Sequence, residues 1–299
     1  MMVKVRASVV AKFLGENLAG EDIEVSGVCS LENIRQNCMV FVEHSTPELW
    51  AVVSHLTQNL VICLDDLGMS INGPRITAAN PRLSFIFAAR KFFTEETPPT
   101  IDITARIHPQ ARIGRDVSIG AFCVIDKDVT IGDNSTLLNN IVVTGKTTIG
   151  KNCRFKSNSV IGEDGFGFCM DESGTPHATP HFGGVRIGDS VWIGANCTIE
   201  RGIFDDTIVE DHVKSDDLVQ IGHNAKIGRG TRLAAGTIVC GGVNIEPECW
   251  IGPNSNIIER KTVGRGSFIG IGTNVLSNVP PGVVFVGNPG KKIRDNIEK

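Results

Sequence analysis

The stretch Ile107-His-Pro-Gln-Ala-Arg-Ile113-Gly-Arg-Asp-Val-Ser-Ile119-Gly-Ala-Phe-Cys-Val-Ile125 decides the fold of this chain. An isoleucine returns at every sixth position, and the series runs on as Ile101 before it and as Ile131, Leu137, Val143, Ile149, Phe155 and Ile161 after it. A period of six matches neither the roughly 3.6 of an α-helix nor the alternation of a half-buried strand; it suits hexapeptide units wound into a parallel β-helix. Four residues after each of these positions stands a small or β-branched residue: Val117, Cys123, Val129, Ser135, Ile141, Thr147, Cys153, Ser159. Large and small side chains therefore alternate into a narrow interior. Glycine follows Ile113, Ile131 and Ile149, where the reading places a tight corner.

The register returns as Ile187, Ile193 and Ile199, and again from Ile221 through Ile227, Leu233, Val239, Ile245, Ile251, Ile257, Val263 and Ile269 to Val275. Burying one such aliphatic side chain contributes roughly 1.5–3 kcal/mol, so the stacked columns suffice as a core. Two irregularities break the pattern. Residues 162–184 form an insertion with several glycines, His177, His181 and three phenylalanines, Phe166, Phe168 and Phe182. A loop thrown out of a regular solenoid is a usual place for a binding element. The second break is Arg201-Gly-Ile-Phe-Asp-Asp-Thr207, after which Ser215 takes a slot that elsewhere is aliphatic.

Residues 1–98 follow another pattern. Helices are predicted at Ala7 to Leu18, Pro47 to Leu56 and Pro81 to Phe93, and strands at Ile23 to Val28, Met39 to Val42, Leu60 to Leu64 and Arg75 to Ala78. The chain thus reads as mainly β: a parallel β-helix over 99–284 with its insertion at 162–184, a small α/β domain over 1–98, and a basic C-terminal tail over 285–299.

A net charge of −4 offers no electrostatic argument for nucleic acid. No membrane span or signal sequence is read, and a cytoplasmic protein is expected. Nine cysteines occur without a Cys-x-x-Cys pair, and Cys123, Cys153, Cys197 and Cys249 occupy the small inward slot as compact hydrophobes. The histidines show no spacing that singles out three metal ligands, so no metal is expected.

Three strings carry a resemblance over nearly the whole chain: Ile161-Gly-Glu-Asp-Gly-Phe-Gly-Phe168, Ile193-Gly-Ala-Asn-Cys-Thr-Ile-Glu-Arg-Gly202 and Asp216-Asp-Leu-Val-Gln-Ile-Gly-His-Asn224. With Val25-Ser-Gly-Val-Cys-Ser-Leu-Glu32 and Ala79-Asn-Pro-Arg-Leu-Ser-Phe85, they resemble the UDP-3-O-acylglucosamine N-acyltransferases of lipid A biosynthesis and related hexapeptide acyltransferases. The resemblance implies a left-handed helix, a homotrimer with sites between neighbouring solenoids, and an N-terminal domain that holds the nucleotide. It implies His223 as general base, with Asp216 or Asp217 orienting it and a backbone N–H near Gly241 stabilising the oxyanion. Asn80, Arg82, Asp164, Phe166, Phe168, Asn224 and Arg260 follow as substrate-binding residues. Where the family carries a Gly-His pair this chain reads Glu259-Arg260, and it has no tyrosine. His44 or Trp50 is then the expected stacking partner for the base.

The register adds its own support: Ile221 points inward, so His223 projects outward at a corner. Imidazole is the side chain best suited to take a proton from an amine near neutral pH. The expected reaction is transfer of a short acyl group from acyl-CoA to the amine of a UDP- or dTDP-linked amino sugar, with Lys291, Lys292 and Arg294 facing the phosphates of coenzyme A. The alternative donor is acyl carrier protein with a hydroxyacyl chain, as in lipid A synthesis. An alternative of another class is a non-catalytic β-helix scaffold.

Overall fold

The computed structural model describes residues 3–297 apart from 45, 47–50, 69, 70 and 96. The chain divides into two compact units, Met1–Thr97 and Pro98–Lys299.

The first unit is built on a five-stranded sheet in the order Leu18–Ala19, Arg75–Thr77, Leu60–Cys63, Cys38–Val42, Gly27–Val28. The last four strands run parallel, and only Leu18–Ala19 is antiparallel to its neighbour. Leu60-Val-Ile-Cys63 is buried throughout, as expected of a parallel strand covered on both faces. Helices Ala7–Leu14 and Pro81–Phe93 supply Val10, Ala11 and Ala88 to a core with Met39, Leu60, Ile62 and Ile76; Val40, Val42, Val61 and Cys63 pack with Val53 and Ile71 on the other side. The first helix ends four residues earlier than predicted because Gly15 adopts a left-handed φ of 72°, and Leu18 enters a strand instead. The predicted helix at 47–56 falls partly outside the described residues; residues 51–53 are helical.

The second unit is the solenoid. Each hexad makes one strand of two or three residues, and each strand pairs in parallel with the strand three hexads on: Ser118 with Thr136, Val124 with Val142, Thr130 with Thr148. Three parallel sheets of 10, 9 and 8 strands result, the 10-stranded one including an antiparallel strand at its end. The large inward residues form one continuous core from Ile119 to Phe285. The small slot does more than save space. The hydroxyls of Ser135, Ser159 and Ser255 donate to the carbonyls of Gly150, Gly194 and Gly270 at 2.8–2.9 Å. The thiols of Cys153 and Cys249 donate likewise to Gly188 and Gly264. A buried polar group is tolerated only when bonded, and these bonds tie each coil to the next.

The corners differ from the sequence reading in one respect. The glycines that follow the inward isoleucines are not the left-handed residues; those fall two positions on, at Asn134, Asn152, Asn196 and Asn224 among others. The isoleucine-linked glycines are needed because the next coil passes close by: a Cβ on Gly194 would lie 2.1 Å from the Asp216 carbonyl oxygen.

Coils normally repeat after 18 residues, as from Ser135 to Cys153. The interval becomes 38 across the insertion, from Ser159 to Cys197, and 22 from Ala195 to Asp217. The insertion folds into an antiparallel hairpin, Phe168–Met170 with Pro176–Ala178. Residues 285–295 are no free tail: Val283–Gly287 joins the last coil, and Gly290–Asp295 turns back on it as an antiparallel strand bearing Lys291, Lys292 and Arg294.

The outward residue of each strand stacks into a column along its sheet. One column runs Arg154, Trp192, Lys214, Arg232, Trp250, Phe268, with the Arg154 guanidinium 5.3 Å from the Trp192 ring and that of Arg232 5.0 Å from Trp250. The column on the adjacent sheet starts at Arg106 and from there on, through Val124, Val142, Val160, Thr198, Gln220 and Ile238, carries no charge.

Candidate active site

His223 stands at the corner after the strand Gln220–Ile221, with Ile221 turned into the core. The corner is tied down by Asn224, whose φ of 59° is left-handed. Asn224 N–H donates to Thr207 Oγ1 at 2.8 Å, its Nδ2 donates to the Asp205 carbonyl at 2.9 Å, and its Oδ1 accepts from Ile203 N–H at 3.0 Å. These bonds fix the orientation of the amide. Since Oδ1 only accepts, His223 Nδ1, 3.2 Å away, donates to it and carries the ring proton. Nε2 is left with its lone pair.

Nε2 lies against Gly241, one coil on: a methyl there would come within 2.6 Å of it. Glycine leaves the space that any other residue would fill. At some corners of the solenoid the N–H at this position is taken by a side chain of another coil, as Ala195 N–H is by Asp217 and His223 N–H is by Glu200. Among the described residues, Gly241 N–H has no such acceptor. A proton acceptor and an open amide donor thus meet at one place.

They face an open groove of about 680 Å³, lined by Phe166, Gly167, Phe168, Thr179, Ile203, Cys240 and Gly242 and, two coils on from His223, by Glu259 and Arg260. The Phe166 and Phe168 rings are 5.0 Å apart and edge-on. Burial, followed by the charges of Glu259 and Glu200, pushes the Cys240 thiol above its ordinary value, so it remains neutral.

The structure brings His223, Asn224, Gly241, Phe166, Phe168 and Arg260 to one groove. It does not bring the aspartates there as expected. Asp217 bridges Lys156 at 2.5 Å and caps Ala195 N–H at a different corner, and the ammonium holds its carboxylate below the usual range. Asp216 makes no hydrogen bond with His223; its backbone carbonyl lies against Gly194. The carboxylate beside His223 is Glu200, which accepts from its backbone N–H at 3.1 Å. The sequence does not show Glu200 beside His223, because four extra residues separate its coil from the next and hide the register between Ile199 and Ile221. Asn224, expected to bind substrate, spends its side chain on internal bonds. Asp164 pairs with Arg201. Asn80 belongs to the first unit and caps the helix Pro81–Phe93 by accepting from Leu83 N–H at 3.0 Å, with Arg82 exposed on the first turn. His44 is exposed and Trp50 lies outside the described residues. Lys291, Lys292 and Arg294 occupy the C-terminal hairpin, outside the groove lining, and Lys292 pairs with Asp295. Among the described residues, no three His, Cys, Asp or Glu side chains are grouped to hold a metal.

A solenoid of hexads with a histidine at an outward corner defines the class of hexapeptide-repeat transferases. The family model described as bacterial transferase hexapeptide (six repeats) matches residues 128–163, and that described as hexapeptide repeat of succinyl-transferase matches 110–145 and 184–204. The UDP-3-O-acylglucosamine N-acyltransferase of Herminiimonas arsenicoxydans is 31% identical over 89% of this chain and 83% of its own. The enzyme of Legionella pneumophila (strain Paris) named UDP-3-O-acylglucosamine N-acyltransferase 2 is 31% identical over 97% and 90%. The chain belongs to the UDP-3-O-acylglucosamine N-acyltransferase family. It also matches the Coxiella burnetii (strain RSA 493 / Nine Mile phase I) relative of that name at 37% identity over 56% of its own length, spanning about half, 54%, of that protein. Among solved structures, LpxA from Acinetobacter baumannii superposes with a TM-score of 0.60 at 29% identity over 66% of this chain and 74% of that one. The UDP-N-acetylglucosamine acyltransferase of Francisella novicida gives 0.61 at 29% over 66% and 71%. The solenoid is a left-handed parallel β-helix of this kind.

Proposed function

We propose that the protein is an N-acyltransferase that moves an acyl group from a thioester to the amine of a UDP-linked, 3-O-acylated glucosamine. The observation that carries this is the pairing of His223 Nε2, free to accept a proton, with the open N–H of Gly241. The acceptor amine attacks the thioester carbonyl while Nε2 takes its proton; the carbonyl oxygen becomes an oxyanion that Gly241 N–H stabilises. Collapse expels the thiolate, which recovers the proton from the imidazolium. Glu200, held at the His223 backbone, supports the transient cation.

A second reading, a short acyl group from acyl-CoA, is favoured by the charged part of the groove lining. A chain running along the coils from His223 meets the Glu259 carboxylate and the Arg260 guanidinium two coils on, about 10 Å away at ordinary strand spacing. Charged groups there suit a short acyl group better than a long alkyl chain. Both donors are tested together: UDP- and dTDP-linked amino sugars, with and without 3-O-acylation, against acyl-CoA of graded length and acyl carrier protein thioesters, read by mass spectrometry. Acylation of the sugar amine is expected. Absence of transfer in every pairing by folded protein sinks the reading.

The proposed assembly is a homotrimer packed through the uncharged column of Val124, Val142, Val160 and Ile238. Trp192 and Trp250 lie on another sheet, under Arg154 and Arg232.

A further inference from the structure

We infer that His181 is a positioning residue that pins both ends of the 162–184 insertion against the ring of His223 and so sets where the Phe166 and Phe168 wall stands over the reacting amine. This rests on the acyl-transfer reading of the groove. His181 takes no part in the proton transfer above, yet it is only 7% exposed within an insertion whose hairpin strands are exposed throughout. Both of its ring nitrogens are engaged. Nδ1 lies 2.8 Å from the Thr179 carbonyl, which only accepts, so Nδ1 carries the proton. Nε2 accepts from Gly165 N–H at 3.3 Å. Thr179 N–H then donates to the Gly167 carbonyl at 2.8 Å, closing the two ends of the insertion on each other.

The ring of His181 meets that of His223 edge to face, with centroids 5.6 Å apart at 81°. The strand it holds passes close to the site: a methyl on Gly165 would lie 2.8 Å from His223 Cδ2 and 2.7 Å from Glu200 Oε2. Exposed strands have no core of their own; the buried imidazole attaches them beside His223, while Phe182 N–H, donating to the Ile203 carbonyl at 2.7 Å, and the Asp164–Arg201 pair hold the chain at the flanks. A small displacement of Gly165 moves the wall against which the acceptor must rest.

The test compares wild type, His181→Ala and His181→Gln by steady-state kinetics and by amide hydrogen exchange of residues 165–168. The glutamine amide oxygen reaches the place of Nε2 and can accept from Gly165 N–H. His181→Ala is expected to lower kcat by about 10²-fold, as a misplacement of that kind does, with the KM for the acyl donor little changed and exchange at 165–168 accelerated. His181→Gln is expected to recover most of both losses. A kcat for His181→Ala within about twofold of wild type overturns the positioning role, and so does unchanged exchange. Wild type that transfers no acyl group sinks the acyl-transfer reading instead, and the exchange comparison still decides whether His181 holds the insertion.

Discussion

At the scale of single residues, what makes His223 useful is the restraint on its other nitrogen. Oδ1 of Asn224 receives both Ile203 N–H and His223 Nδ1–H, so the tautomer is set by the backbone of the neighbouring bulge. His223→Ala is expected to lower turnover by roughly 10²–10⁴-fold while leaving thermal unfolding nearly unchanged, because the side chain lies outside the core. Retention of near wild-type turnover at saturating substrates would remove the base role. Gly241→Ala separates space from chemistry. Its methyl would crowd Nε2 at 2.6 Å and Cε1 at 2.7 Å, so activity should fall by about 10²-fold with secondary structure by circular dichroism intact.

At the scale of the element, each hexad contributes a large and a small packing residue, and where the small one is a serine or cysteine it can add a side-chain bond between coils. Ile257→Ala should cost about 2–5 kcal/mol in urea unfolding, as a large core truncation does. Ser255→Ala, which loses only the bond to the Gly270 carbonyl, should cost about 1 kcal/mol. The buried thiols give the fold an alkaline limit. Burial pushes Cys63 and Cys249 up to about 11 from an ordinary 9.0. Between those values the unfolded chain has released protons that the folded chain keeps, so stability is full below pH 9.0 and falls as pH rises towards 11. Denaturant midpoints should therefore drop from pH 8 to pH 10, and less so in Cys249→Ser. An unchanged midpoint contradicts the burial of both thiols.

At the scale of the whole molecule, the three sheets of the solenoid present different surfaces. Exposed apolar columns are normally covered in solution, and the uncharged one is the face suited to a second copy. Light scattering is expected to give three times the chain mass. Ile238→Lys, which places a charge in that column, is expected to give monomers with the coil fold retained. A stable wild-type monomer at micromolar concentration would exclude packing through this face and with it any site shared between copies.

The sequence by itself determined the solenoid, because a period of six is enforced at every coil by burial: Ile119, Leu137 and Phe155 all point inward, as the spacing requires. It determined that His223 faces outward, since Ile221 fixes the phase two residues earlier. It also marked Pro81–Phe93, whose cap and first-turn proline are local signals. Tertiary structure alone decided which residues meet across coils. Glu200 and Gly241 reach His223 from the preceding and following coils, and His181 reaches it from an insertion whose path no repeat constrains. Asp216 and Asp217, near in sequence, are directed elsewhere because a corner turns the chain between them and His223 and Lys156 claims Asp217. Hexad spacing sets the direction of a side chain from its own strand; what stands beside it depends on coil length, and here two insertions changed that length on the approach to the site.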